Sequence, residues 1–263
     1  MGEVARLFSA AAIVGFVTAG LRIRFDRFFL IILLLLLMGK TIFASVNIFL
    51  WVLIFGAAYV LLQNFSKISA MPKKDLGKML IMIPTLTAIA TFIGSYLYSL
   101  SSAGVLTATL GVLAVLYGLR LILIHFKEHE LNQTSPNKSF QLFCSLFGPL
   151  LSGLSIGFIG TSLKPLKIPF AVKLGKMNMQ KVYLGNTMTA FFASFFAIIW
   201  HNALFASTGE NINLLNSLLY GAAFWALTHY FAEITDLFFK DRWRKGFQIT
   251  IGIILLIVSI KLF

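Results

Sequence analysis

The feature that most constrains this chain is a recurrence of uncharged apolar runs, each long enough to cross a lipid bilayer. A helix rises about 1.5 Å per residue, so roughly 18–20 apolar residues cross a hydrocarbon core of about 30 Å. Runs at 41–66, 79–119, 139–163, 182–209 and 211–232 exceed that length without one Asp, Glu, Lys or Arg. No water-soluble core could bury them all. Hydrophobic residues make up 59% of the chain and charged residues 12%, against about a quarter charged in soluble domains. Lipid is therefore the solvent, and a helix satisfies its own backbone there. The expected fold class is all-α: a polytopic helical membrane protein whose 263 residues form one membrane domain.

Several other classes fall away on the same reading. The net charge of +13 would suggest nucleic acid in a soluble protein. In a membrane protein it is explained by the Lys and Arg of cytoplasmic loops. The 27 phenylalanines read as lipid-facing and core material, so no nucleic-acid partner is expected. Cys144 is the single cysteine; no disulfide within the chain can form, and no metal-ligand spacing exists. Glu3 and Arg6 precede a short apolar segment that runs into an arginine cluster, a pattern unlike a cleaved signal. No Walker loop, zinc motif or nucleophile elbow is present. A transporter is expected rather than an enzyme, with no cofactor.

Helices are expected at 6–21, 26–38, 41–64, 77–100, 104–126, 140–160, 166–175, 182–206, 214–239 and 246–262. The order suggests two repeats, 1–130 and 140–263, joined by a loop at 131–139. Each begins with a helix bearing spaced glycines: Gly15 and Gly20, then Gly153, Gly157 and Gly160. A break with basic residues follows at 21–27 and at 161–167. A short apolar segment and a Gly-Lys pair come next, Gly39-Lys40 or Gly175-Lys176. A long helix then starts near Asn47 or Asn186, and two more helices close each half.

Charge orients these pieces. Lys67, Lys73, Lys74 and Lys78 form one cluster, and Lys240, Arg242, Arg244 and Lys245 another. The turns at 101–104 and 207–213 carry no basic residue. The positive-inside rule puts both clusters in the cytoplasm and both turns outside. The pair 140–160 and 166–175 must then contribute an even number of crossings. Its second member has about 10 residues, roughly 15 Å of helix, so the pair reads as re-entrant, with a kinked full crossing as the competing reading. The pair 6–21 and 26–38 would enter from the opposite side. The halves then have inverted topology, and both termini lie outside the cell in a multi-pass plasma-membrane protein.

Two re-entrant tips would meet near the bilayer midplane. One carries Arg22, Arg24, Asp26 and Arg27, the other Gly160, Thr161, Ser162, Lys164 and Lys167. A cation at the centre costs about 2.5–3.5 kcal/mol on insertion scales, and Asp26 can answer only one of them. The surplus points to an anion. Half-helix N-termini, glycine backbones and the hydroxyls of Thr161 and Ser162 would add donors. Asn47, Asn186 and Thr187 could add more from the following helices. Plainer readings stand beside this one. The arginines could snorkel to lipid phosphates, the glycines could allow close helix packing, and the asparagines could bond within the bundle. Asp26, His201 and Glu233 are the candidates for proton coupling, as intramembrane ionisable groups usually are. The expected partners are a small inorganic or organic anion and the bilayer, with a homodimer left open. The alternative class is a membrane-embedded enzyme acting on lipid phosphate or pyrophosphate, which would also use re-entrant arginines.

Over nearly its whole length the chain resembles the sulfite exporter TauE/SafE family. The resemblance rests on the two-half layout and on how each half opens. Gly15-Phe-Val-Thr-Ala-Gly20-Leu21 is similar to the first opening, and Gly153-Leu-Ser-Ile-Gly157-Phe-Ile-Gly160-Thr161-Ser162 to the second. Leu166-Lys167-Ile168-Pro169-Phe170 looks like the family's apolar stretch, and Tyr183-Leu-Gly-Asn186-Thr187 like its small-polar helix start. Ala44-Ser45-Val46-Asn47 is the weaker counterpart in the first half. The resemblance implies transport of sulfur-containing anions such as sulfite or organosulfonates. Neither half keeps the family's triple glycine; Arg22-Ile23-Arg24 and Ser162-Leu163-Lys164 stand in that region.

Overall fold

The computed structural model describes residues 2–21, 30–123, 138–163, 171–172, 176–205 and 214–262. All regular structure among them is helical. In chain order the helices are α1 (Glu3–Leu21), α2 (Leu30–Leu37), α3 (Ile42–Gln63), α4 (Phe65–Ser69) and α5 (Lys73–Gly77). A π-helical turn at Lys78–Met82 leads into α6 (Ile83–Leu100), followed by α7 (Ala103–Leu123) and α8 (Lys138–Ile159). The last three are α9 (Met179–Phe205), α10 (Leu214–Asp236) and α11 (Asp241–Ile260). Seven spans are both long and apolar enough to cross a membrane: Glu3–Leu21, Ile42–Gln63, Asp75–Leu100, Ala103–Leu123, Phe140–Ile159, Met179–Leu204 and Trp243–Ile260. The chain is an all-α polytopic helical membrane protein.

The helix ends follow local chemistry. α2 has eight residues, about 12 Å, too short to cross alone. It closes at Gly39, whose φ of +84° suits a residue without a Cβ. The Gly39 N–H donates to the Leu36 carbonyl and the Lys40 N–H to the Leu35 carbonyl, the paired bonds of a Schellman stop. α9 begins at Asn178, whose side-chain oxygen accepts from the N–H groups of Gln180 and Lys181 at 3.0 and 3.2 Å. This is an N-cap. α11 starts at Asp241, five residues before the expected 246. Arg and Lys are good helix formers, so the basic cluster extends the helix instead of ending it.

By packing, the chain forms two compact units. One comprises Met1–Phe49, Ser101–His129 and Leu218–Phe263; the other comprises Leu50–Leu100 and Glu130–Ser217. Each unit takes pieces from both expected repeats. Division by packing is a separate matter from division by repeat.

In the second unit α6, α8 and α9 pack on one another. The α6–α8 contact is backbone against backbone. A Cβ on Gly157 would collide with the Thr91 carbonyl, and one on Gly94 with the Leu154 carbonyl. Gly153-x-x-x-Gly157 is thus a small-residue seam, the means by which helices in lipid gain close contact. In the first unit α7 and α11 meet at Gly118 and Gly252, where a Cβ on either would lie within 3 Å of the other's carbonyl.

Candidate functional site

Of the expected site residues, Arg22, Arg24, Asp26 and Lys164 lie outside the described residues, as do Arg27 and Lys167. The second break is described as far as Leu163. α8 stops at Gly160, which is buried with φ +76°. The Gly160 N–H donates to the Ile156 carbonyl at 2.8 Å, a left-handed cap. Thr161 and Ser162 follow, 1% and 4% exposed. The Ser155 hydroxyl donates to the Thr161 carbonyl at 2.6 Å. The Ser162 hydroxyl has no partner among the described residues.

A helix end leaves its last four carbonyls without intrahelical partners. At the end of α8 one of them, that of Gly157, is met by His201 from α9, with Nε2 at 2.7 Å. A carbonyl only accepts, so Nε2 carries the proton. The imidazole is fully buried and stacks on Tyr98 of α6, with centroids 4.1 Å apart and planes 12° apart. Thr91 and Ser95, whose backbones flank Gly157, have fully buried hydroxyls without partners among the described residues. Ser95 is five residues from the Leu100 end of α6, about 7–8 Å. The break therefore lies near that end of α6. α8 has 22 residues, about 33 Å of helix, and that length carries it there.

The other expected donors act within their own helices. The Asn47 amide donates to the Phe43 carbonyl at 3.1 Å, the Asn186 amide to Val182 at 2.9 Å, and the Thr187 hydroxyl to Tyr183 at 3.0 Å. Such bonds to the preceding turn are usual for these residue types in helices. Glu233 pairs with His229 at 3.1 Å and its side chain is 66% exposed. It belongs to the first unit and His201 to the second.

The last described turn of α1 has a partner that the sequence did not single out. Arg244, at the start of α11, donates from Nη1 to the Ala19 carbonyl at 2.7 Å. Its Nη2 meets Asp236 at 3.0 Å and the Phe239 carbonyl at 3.4 Å. Arg244 is 9% exposed, so this member of the expected cytoplasmic cluster is a structural cation. In sequence nothing separates it from its basic neighbours.

A cavity of about 1140 Å³ opens in the second unit, between the α5–α6 segment, the first half of α8 and the start of α9. Its charged lining is Asp75, Lys78 and Lys181, and Asn178, Asn186 and Thr189 also face it. Lys181 Nζ lies 2.8 Å from Asp75 Oδ2 and ties α5 to α9. Lys78 opens the π-helical turn, a distortion that recurs at functional sites. Lys176, just before the Asn178 cap, holds φ at +49°, uncommon for a residue with a side chain. Asn186 is thus the one described site residue that reaches the cavity. The cavity touches α8 no further than Leu151, nine residues before Gly160, roughly 13 Å along the helix. Asn186 and His201 stand 15 residues apart on α9, about 22 Å. The described candidates accordingly form two places, a cavity and a helix break. Compared with known proteins, the chain matches no family model, no curated protein and no solved structure.

Proposed function

We propose that the chain is a secondary transporter of small anions, with sulfite or organosulfonates as the first substrates to try. The observation that carries the reading is the cavity itself. It opens between three helices long and apolar enough to span a bilayer, and its described lining holds two lysines against one carboxylate. Both lysines are exposed, and the one in excess of Asp75 leaves the lining net positive, which favours an anion. The Asn178-capped N-terminus of α9 adds the positive end of a helix dipole on the same wall. The break after Ile159, with buried Thr161 and Ser162, provides a point where α8 and the segment after it can move separately as access alternates between inverted halves. The cations of the two breaks, Arg22, Arg24 and Lys164, belong to this proposal as further charge for the anion. The proposed setting is the plasma membrane, with both termini outside.

The test is flux. Purified protein in liposomes should take up labelled sulfite or a small sulfonate faster than empty liposomes, and Lys78→Gln with Lys181→Gln should slow that uptake. Sulfite, sulfate and small sulfonates that neither move across the liposomes nor raise the melting temperature would sink the reading.

A further inference from the structure

We propose that the cavity takes a single-chain amphiphilic anion, with a charged head and a medium-length apolar chain. The head-group half of this inference rests on the anion-transport reading; the apolar chain goes beyond it.

Three observations carry it. The first is size. Sites for small organic molecules occupy roughly 300–1,000 Å³, and this cavity of about 1140 Å³ lies just above that range. A bare oxyanion would leave most of it as water against apolar walls. The second is segregation. All the described charge in the lining comes from the α5–α6 segment and the start of α9, as Asp75, Lys78 and Lys181. The described lining from α8 has no charged residue and presents Phe140, Phe143 and Phe147 beside Gln141 and Ser145. One wall offers charge and the facing wall offers mostly hydrocarbon. The third is adaptability. Met79 and Met82 of the lining are flexible and polarizable, as suits chains of differing length. The Asp75–Lys181 pair at 2.8 Å ties α5 to α9 at the charged wall, where one cation in excess suits a single anionic head.

Gly185 gives a way to fill the chain's place. It lines the cavity, and a Cβ there would meet nothing nearer than Ile83 Cδ1 at 4.0 Å. The backbone there accepts a Cβ, and leucine is the better helix former.

The experiment is equilibrium binding to the full chain in nanodiscs of zwitterionic lipid, with empty discs subtracted. Labelled octanoate is the probe; acetate, butyrate, hexanoate, octanol and sulfite compete. The expected result is affinity rising roughly two- to fourfold per added methylene, with octanol about tenfold weaker than octanoate for want of a charge-assisted bond. Lys181→Gln should weaken octanoate, Asp75→Asn should tighten it, and Gly185→Leu should flatten the chain-length series. A flat series in the unmodified protein, with sulfite as tight as octanoate, overturns the amphiphile and leaves the anion carrier standing. Octanol as tight as octanoate overturns it as well. Loss of octanoate binding when an anionic phospholipid is added to the discs assigns the cavity to lipid and overturns the free single-chain ligand. If no anion binds and none is transported, the carrier reading falls together with this one.

Discussion

The last described turns of α1 and α8 each take a side-chain donor from another helix, and the two donors differ. At α1 the donor is a guanidinium, Arg244, held also by Asp236 and the Phe239 carbonyl. At α8 it is the neutral Nε2–H of His201, stacked on Tyr98. The charged cap answers the negative end of the helix dipole but needs a carboxylate beside it, and Asp236 stays more than half exposed. The neutral cap needs no counterion, so it can be buried completely. Charge is used where solvent is near, and a neutral donor where it is not. The neutral end is also the one that abuts the Gly94–Gly157 seam, where backbones touch and no long side chain would fit.

Substitutions can break the comparison, starting with the seam. Gly157→Leu forces a side chain into the Thr91 carbonyl and should cost about 3 kcal/mol or more, the upper range for overpacking. Loss of monodisperse, heat-stable protein would be the readout. A variant as stable as the parent would mean that α6 and α8 do not meet this closely. Arg244→Ala removes the charged cap and leaves both the Ala19 carbonyl and Asp236 without it, for about 2 kcal/mol. Arg244→Lys should recover only part of that, because a point charge cannot fork between the two. His201→Ala leaves the Gly157 carbonyl unanswered inside a sealed contact and should cost about 1–2 kcal/mol. His201→Gln keeps an N–H donor and should cost less. Equal loss in Ala and Gln would show that stacking on Tyr98, not capping, is what His201 supplies. The smallest effect should be that of Glu233→Gln. Glu233 is the more exposed partner of its pair with His229, so melting should move by the equivalent of less than about 1 kcal/mol.

Much of this architecture was legible from the chain. The uncharged runs gave helices within a few residues of where they stand, as at Ile42–Gln63 and Ala103–Leu123. The break at Gly160 was legible too, because a glycine followed by Thr and Ser after an apolar helix is a stop signal. Its depth was not. How far a helix reaches beside its neighbour depends on which residues pack, and the Gly153–Gly157 seam places it. Asn47, Asn186 and Thr187 each donate to a carbonyl one turn back, a local bond, while the cavity that Asn186 also lines is not local. The cavity had no sequence signature at all, because residues as far apart as Asp75 and Lys181 form it.

What the sequence determines by itself is the solvent and the elements. Hydropathy accumulates residue by residue along the chain, so spans, polar turns and helix stops are local properties. What tertiary structure alone decides is who answers whom. His201 meets a carbonyl 44 residues away and Arg244 one 225 residues away. Nothing in the four basic residues at 240–245 marks Arg244 as the buried one. A hydrogen bond is made at about 3 Å, and only the packed chain sets which groups come that near.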